Sequence, residues 1–176
     1  MVEHEGGVAP HGRSVVLGPE TGRIIPLGDA GNVTLKVGSD ESGGTLSVYE
    51  FTMPPATAGP PHHLHRGWDE AFYIVRGEMT FLIDGVTSTM PAGSFVFIPR
   101  GVLHTFWNES AAPATQLTIF TPAGIEAYFD EVTQLMAQGG GAALEAAERV
   151  MEAHDMIVMP GTRPAYGALT PPVRSK

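Results

Sequence analysis

Residues 59–70 read Gly59-Pro60-Pro61-His62-His63-Leu64-His65-Arg66-Gly67-Trp68-Asp69-Glu70. Successive side chains of a strand point to opposite faces, so His63 and His65 share one face and Leu64 takes the other. Two imidazoles spaced this way can converge on one ion, each nitrogen about 2.0–2.1 Å from it. Glu70 opens the next strand after a turn around Gly67 and can add a carboxylate oxygen. A second segment, Pro99-Arg100-Gly101-Val102-Leu103-His104, sets a histidine at the start of a strand directly after a Pro-x-Gly turn. Three neutral imidazoles and one carboxylate suit a borderline divalent transition metal, not calcium or magnesium. An isolated strand histidine is ordinarily a surface or core residue. The metal reading therefore rests on four ligand-type residues arranged about two turns.

Outward from these segments the chain looks like a turn-rich β domain. Short runs rich in Val, Ile, Thr and aromatic residues recur at Val15–Leu17, Arg23–Leu27, Val33–Val37, Thr45–Met53, Ala71–Val75, Met79–Ile83, Val86–Met90, Ser94–Ile98, His104–Trp107 and Gln116–Thr121. Glycine (22) and proline (15) make up about a fifth of the 176 residues, against roughly 12% in an average protein. They fall between the runs, which predicts a sandwich or barrel. Asp84-Gly85 marks a tight hairpin. After Thr121 the period changes: Ile125, Tyr128, Phe129, Val132, Leu135 and Met136 trace a helical face. Thr121-Pro122 reads as its N-cap and first turn, and Gly139-Gly140-Gly141 as its end. Leu144, Ala147, Val150 and Met151 sketch a second helix. The expectation is one domain: an N-terminal arm (1–14), a β-barrel (15–121), C-terminal helices (122–158) and a tail (159–176).

Composition excludes several classes. The formal charge of −9 repels phosphate backbones and anionic lipid, so neither nucleic acid nor membrane is an expected partner. With no cysteine there is no disulfide framework, thiolate nucleophile or Cys-ligated metal. No secretory signal or bilayer-spanning run is read, and a cytoplasmic location is expected. Walker and dinucleotide glycine patterns are missing from the sequence. Of the other polar candidates, His62 faces away from His63 and is read as a surface or supporting residue. His4, His11 and His154 are read as solvated, Asp69 as a loop charge, and Asn108 as a strand-end residue bonding backbone.

The two histidine segments closely resemble the cupin superfamily. Its first motif, G(X)5HXH(X)3,4E(X)6G, is met by His63, His65, Glu70 and Gly77, with the leading glycine displaced to Gly59. Its second, G(X)5PXG(X)2H(X)3N, is met by Gly93, Pro99, Gly101, His104 and Asn108. The resemblance runs from about Thr45 to Thr121. It implies an all-β double-stranded β-helix (jelly-roll) barrel with a C-terminal helical segment. Inside it, His63, His65, Glu70 and His104 would hold one divalent transition metal per chain: iron, manganese, nickel, cobalt, copper or zinc. A homodimer is expected on the same ground.

Strand parity then suggests the pocket wall. Phe72 and Ile74 follow Glu70 on its face, Phe106 follows His104, and Tyr49, Phe51 and Met53 share a face of their own strand. Tyr128 or Phe129 either packs the helix against the barrel exterior or covers its mouth. Tyr49, Phe51, Met53, Phe72, Phe106 and Tyr128 are the candidate substrate contacts, and such a wall favours an apolar or aromatic small molecule. The run from Gly59 to Phe81 is similar to quercetinase-like single-domain cupins. That likeness implies a metal-dependent dioxygenase acting on an enolisable or phenolic substrate, with Glu70 as ligand and proton acceptor. An isomerase, cyclase or lyase that uses no oxygen, and a non-catalytic small-molecule-binding cupin, stand as alternatives.

Overall fold

The computed structural model describes residues 12–136 and 141–159. Within them the β-prone runs pair as strands β1 (Arg23–Pro26), β2 (Asn32–Val37), β3 (Ser47–Met53), β4 (His63–His65), β5 (Asp69–Arg76), β6 (Glu78–Ile83), β7 (Val86–Pro91), β8 (Phe95–Ile98), β9 (His104–Trp107), β10 (Ala114–Thr121) and β11 (Met156–Val158). Three helices join them: α1 (Ser39–Ser42), α2 (Glu126–Met136) and α3 (Gly141–Ala153). The strands form two antiparallel sheets, ordered β1-β2-β3-β10-β5-β8 and β11-β4-β9-β6-β7. Their inner faces enclose the apolar interior expected of a jelly roll. Asp84 and Gly85 both take positive φ, 46° and 81°, the mirror-image turn whose twist suits a two-residue hairpin between β6 and β7.

Alternation sorts the side chains. Along β5, Glu70, Phe72 and Ile74 are buried while Tyr73 and Val75 are exposed. One apolar cluster fills the barrel around Phe72, Ile74, Met79, Phe81 and Phe106. Fully buried aromatics of this kind each hold about 3–5 kcal/mol against truncation to alanine. A second cluster lies where α2, α3 and β11 meet the first sheet, and includes Tyr49, Phe120, Ile125, Phe129, Met151 and Met156. Phe51 packs against both clusters, which places it at the boundary where the site forms.

Four local expectations are corrected. Val15–Leu17 forms no strand; Val16 is 95% exposed, and an apolar run without a partner strand has nothing to hydrogen-bond. Thr121 does not cap a helix, because it completes β10 opposite Asp69. Instead α2 starts at Glu126, whose carboxylate accepts the Gly124 N–H (2.9 Å), the Ser39 N–H (2.7 Å) and the Ser47 hydroxyl (2.9 Å). The stretch expected to be wholly helical also contains β11, since Met156–Val158 finds an open edge on β4. Gly141 begins α3, so it does not belong to the stop after α2; Gly139 and Gly140 lie outside the described residues, as do His4 and His11.

Candidate metal centre

The four singled-out residues come together. His63, His65, Glu70 and His104 are all buried, and one ligand atom from each lies within 4.8 Å of the others. They reach this point from three strands. His63 and His65 point inward from β4, with Leu64 between them half-buried on the other face. His63 stands in register with His104 of β9, and Glu70 enters from β5.

The surrounding backbone aims the rings. His63 Nδ1 lies 2.8 Å from the Pro61 carbonyl and His104 Nδ1 2.9 Å from that of Val102. A ring that donates from Nδ1 turns Nε2 toward the cluster, the tautomer-fixing contact typical of metal-binding histidines. Glu70 Oε2 sits 2.9 Å from His104 Nε2 and 3.2 Å from His65 Nε2. For His104 to donate from both nitrogens it must be an imidazolium. A divalent cation satisfies the same inward-facing donors without those protons, and in this respect the donor set fits a metal.

Electrostatics follow from burial and pairing. Burial alone would raise the Glu70 carboxyl, but the hydrogen bonds and charges of His104 and His65 outweigh it and bring its pKa down to about 2. Burial likewise opposes charge on His104, yet the hydrogen bond and charge of Glu70 win, so its pKa is raised. His63 has no such partner; burial first, then its two neighbouring rings, hold its pKa well below the ordinary value.

Outer contacts brace the ligand loops. Asp69, expected to be a loop charge, instead begins β5 and clamps the turn before His104. Its carboxylate accepts the Arg100 backbone N–H at 2.9 Å and the guanidinium at 3.0 and 2.8 Å. The Gly101 N–H donates to the His65 carbonyl at 2.8 Å, tying the second turn to β4. Asn108 is fully buried, and its side-chain amide donates to the carbonyls of Met53 (3.2 Å), Pro54 (2.8 Å) and Ala112 (2.9 Å), in keeping with its expected backbone-bonding role. Gly59 explains the displaced motif glycine: a Cβ there would lie 1.7 Å from the Phe106 carbonyl oxygen. The chain needs glycine at that crossing, not two positions earlier. His154 is not solvated as expected; its Nε2 lies 2.9 Å from Glu131 and its ring meets Tyr128 edge-on.

A cavity of about 70 Å³ opens beside His63, His65 and Glu70. Phe51, Met53, Phe106 and Tyr128 line it, as parity and the helix face suggested. Tyr49 and Phe72 do not. Tyr49 is buried behind Phe129, with ring centroids 4.7 Å apart, and Phe72 packs in the barrel against Phe81 and Phe106 at 5.1 and 5.3 Å. Sharing a strand face with a lining residue does not suffice, because packed rings cover Tyr49 and Phe72. Phe120, Met151 and Met156 are among the other lining residues and were not anticipated. The signal for Phe120 was its alternation with Thr118 and Gln116; Met151 and Met156 offered none beyond hydrophobicity. A larger groove of about 720 Å³ beside α1 contains none of the cluster. Its three basic side chains are already paired, Arg13 with Glu41, Arg23 with Asp130 and Lys36 with Glu50.

Comparison with known proteins agrees with this geometry. A family model described as "Cupin domain" matches residues 49–120. The structure of an RmlC-like cupin from Shewanella frigidimarina superposes with a TM-score of 0.54 at 22% identity, covering 63% of this chain and 93% of that one. An uncharacterised protein of Aquifex aeolicus is 27% identical over 79 residues, 45% of this chain and 64% of its own. The oxidoreductase iacF of Pestalotiopsis fici is 38% identical over 64 residues, 36% of this chain and 30% of its own. The chain thus spans less than two thirds of either curated relative. Residues 49–120 thus match a cupin domain, and the barrel fold is shared with the Shewanella protein.

Proposed function

We propose that the protein is a metal-dependent oxidoreductase, a dioxygenase acting on an enolisable small molecule. The observation that carries this reading is the His63–His65–Glu70–His104 cluster facing a cavity walled by Phe51, Met53, Phe106 and Tyr128. A divalent ion bound there lowers the pKa of an adjoining hydroxyl and neutralises the charge that develops. The chain supplies the rest. Glu70 is the carboxylate at the cavity, already ionised, and is the group to accept the proton that leaves the substrate. The hydrocarbon wall excludes water and strengthens every charge interaction inside. Tyr128, Phe129 and Met151 close the mouth from α2 and α3. The likeness to an oxidoreductase over 64 residues lends support to the redox assignment.

The test is elemental analysis of the isolated protein, then oxygen uptake with that metal restored and enolisable substrates supplied. Oxygen consumption that disappears in Glu70→Gln supports the assignment. Turnover that proceeds equally under argon moves the activity to a non-oxygen isomerase, cyclase or lyase. Ligand binding without turnover under either gas leaves a binding protein.

A further inference from the structure

The outer face of the six-stranded sheet carries apolar surface that the barrel does not use. Strand register lines up one row across all six strands: Ile24, Thr34, Glu50, Leu117, Tyr73 and Phe95. Their strand neighbours Ile25, Tyr49, Phe72 and Val96 are buried, so this row points away from the barrel. Phe97 lies in the next outward row, beside Ala71 and Ile119. Tyr73, Phe95 and Phe97 are 43%, 61% and 57% exposed, and Ile24 at the far end is 60% exposed. An edge strand bearing two exposed phenylalanines invites association. Val15–Leu17, read from the sequence as a strand and left unpaired, lies at the β1–β2 end of the same sheet. There Val15 and Leu17 line the groove with Leu35 and Lys36, and Val16 is 95% exposed.

Area and charge suit a second copy as the cover. A buried aromatic side chain removes about 150–250 Å² from water and an aliphatic one roughly 60–120 Å². On that scale the three rings, Ile24, Val75 and Val15–Leu17 expose on the order of 500 Å². This matches the apolar share, about 65%, of the ~800 Å² that each partner of a stable dimer buries. The chain carries a net charge of −9, so two copies repel on average. On this face, however, the acidic groups are paired, Glu50 with Lys36 at 3.4 Å and Asp69 with Arg100 at 2.8 Å. The row is aliphatic at β1 and aromatic at β8. A twofold axis along the strands sets β1 of one copy over β8 of the other and forms that contact twice. An axis across the strands would set β3 on β3, with Glu50 against Glu50.

We propose that the outer face of this sheet closes on the same face of a second copy, about a twofold axis along the strands. Ile24 and the Val15–Leu17 arm of each copy then cover Phe95 and Phe97 of the other. Nothing in this contact depends on the chemistry proposed for the cavity.

Sedimentation equilibrium of the full chain tests the association. Wild type is expected to be dimeric at micromolar concentration. Phe95→Asp and Phe97→Asp, both at exposed positions, should weaken the dimer at least tenfold by burying an unpaired charge. Val86→Asp, at a position 66% exposed on the other sheet, should leave it intact. Cross-linking tests the axis. The chain has no cysteine, so Ile24→Cys combined with Phe95→Cys supplies the only thiols. Facing sheets stand ~10 Å apart, beyond disulfide reach, so a short bis-maleimide is the linker. The double variant should yield covalent dimers, and either single variant few. A monomeric wild type, or a dimer that survives both aspartates, overturns the proposal. Phe95→Cys cross-linking alone as fully as the pair overturns the axis and the contact it creates.

Discussion

Met156 lies directly opposite His65, in the pairing of β11 with β4. The last described strand therefore braces the strand that presents two of the four clustered side chains, and Met156 also reaches the cavity wall. This brace matters because β4 has one register pair with β9, His63 with His104, against three with β11. The Arg66 N–H donates to the Asp155 carbonyl at 3.1 Å and the Met159 N–H to that of His62 at 2.9 Å. Hydrogen-bonded pairs alternate in an antiparallel ladder, so the Ile157–Leu64 pair between them is bonded too.

Ile157→Pro removes that N–H and should loosen β4. We expect about 1–3 kcal/mol less stability, from one ladder bond and its strained neighbours, and lower metal occupancy. Denaturant melts and elemental analysis of the same preparation measure both. Unchanged occupancy would show that β9 alone holds the histidines.

His104→Ala should cut bound metal sharply, whereas His62→Ala should leave the stoichiometry near wild type. His104 is buried with Nε2 at the cluster; His62 is half-buried outside it, and its backbone carbonyl receives Met159. Equal losses from the two variants would mean the ligand set is misassigned.

Metal uptake should release a proton and strengthen with pH. His104 has a raised pKa in the metal-free protein, so the stability it adds is full below its ordinary 6.5 and fades as pH rises through the raised value. Glu70 has a lowered pKa, so its contribution is present above its ordinary 4.5 and is lost as pH falls toward about 2. The metal-free protein should gain most from this pair between those two ordinary values. A cation displaces the His104 proton, which calorimetry in buffers of different ionisation enthalpy would detect. Uptake without proton release would show that His104 is neutral before binding.

Asn108→Ala removes a buried amide shared among three carbonyls, and also the acceptor for the Ser110 N–H (3.1 Å) and hydroxyl (2.8 Å). We expect a loss of about 2–4 kcal/mol, because the carbonyls stay buried without their donor. Asn108→Asp should be no better, since it sets an acceptor against acceptors. Equilibrium denaturation decides the matter; a cost below 1 kcal/mol would indicate that water replaces the amide.

The His63–His65–Glu70–His104 cluster was legible in the sequence because each part of it is local. A two-residue strand period puts His63 and His65 on one face, and short turns at Gly67 and Pro99–Gly101 deliver Glu70 and His104. The barrel was legible through alternation and turn chemistry for the same reason. What the chain could not disclose one stretch at a time was the shape of the space beside those four residues. Tyr49 and Phe51 have the same parity, yet Phe51 lines the cavity and Tyr49 is covered by Phe129. Met151 and Met156 close the wall only because α3 and β11 dock on the barrel from far along the chain. Parity and spacing are properties of neighbouring residues, whereas the size and charge of a cavity depend on which distant surfaces pack against it, and only the folded chain decides that.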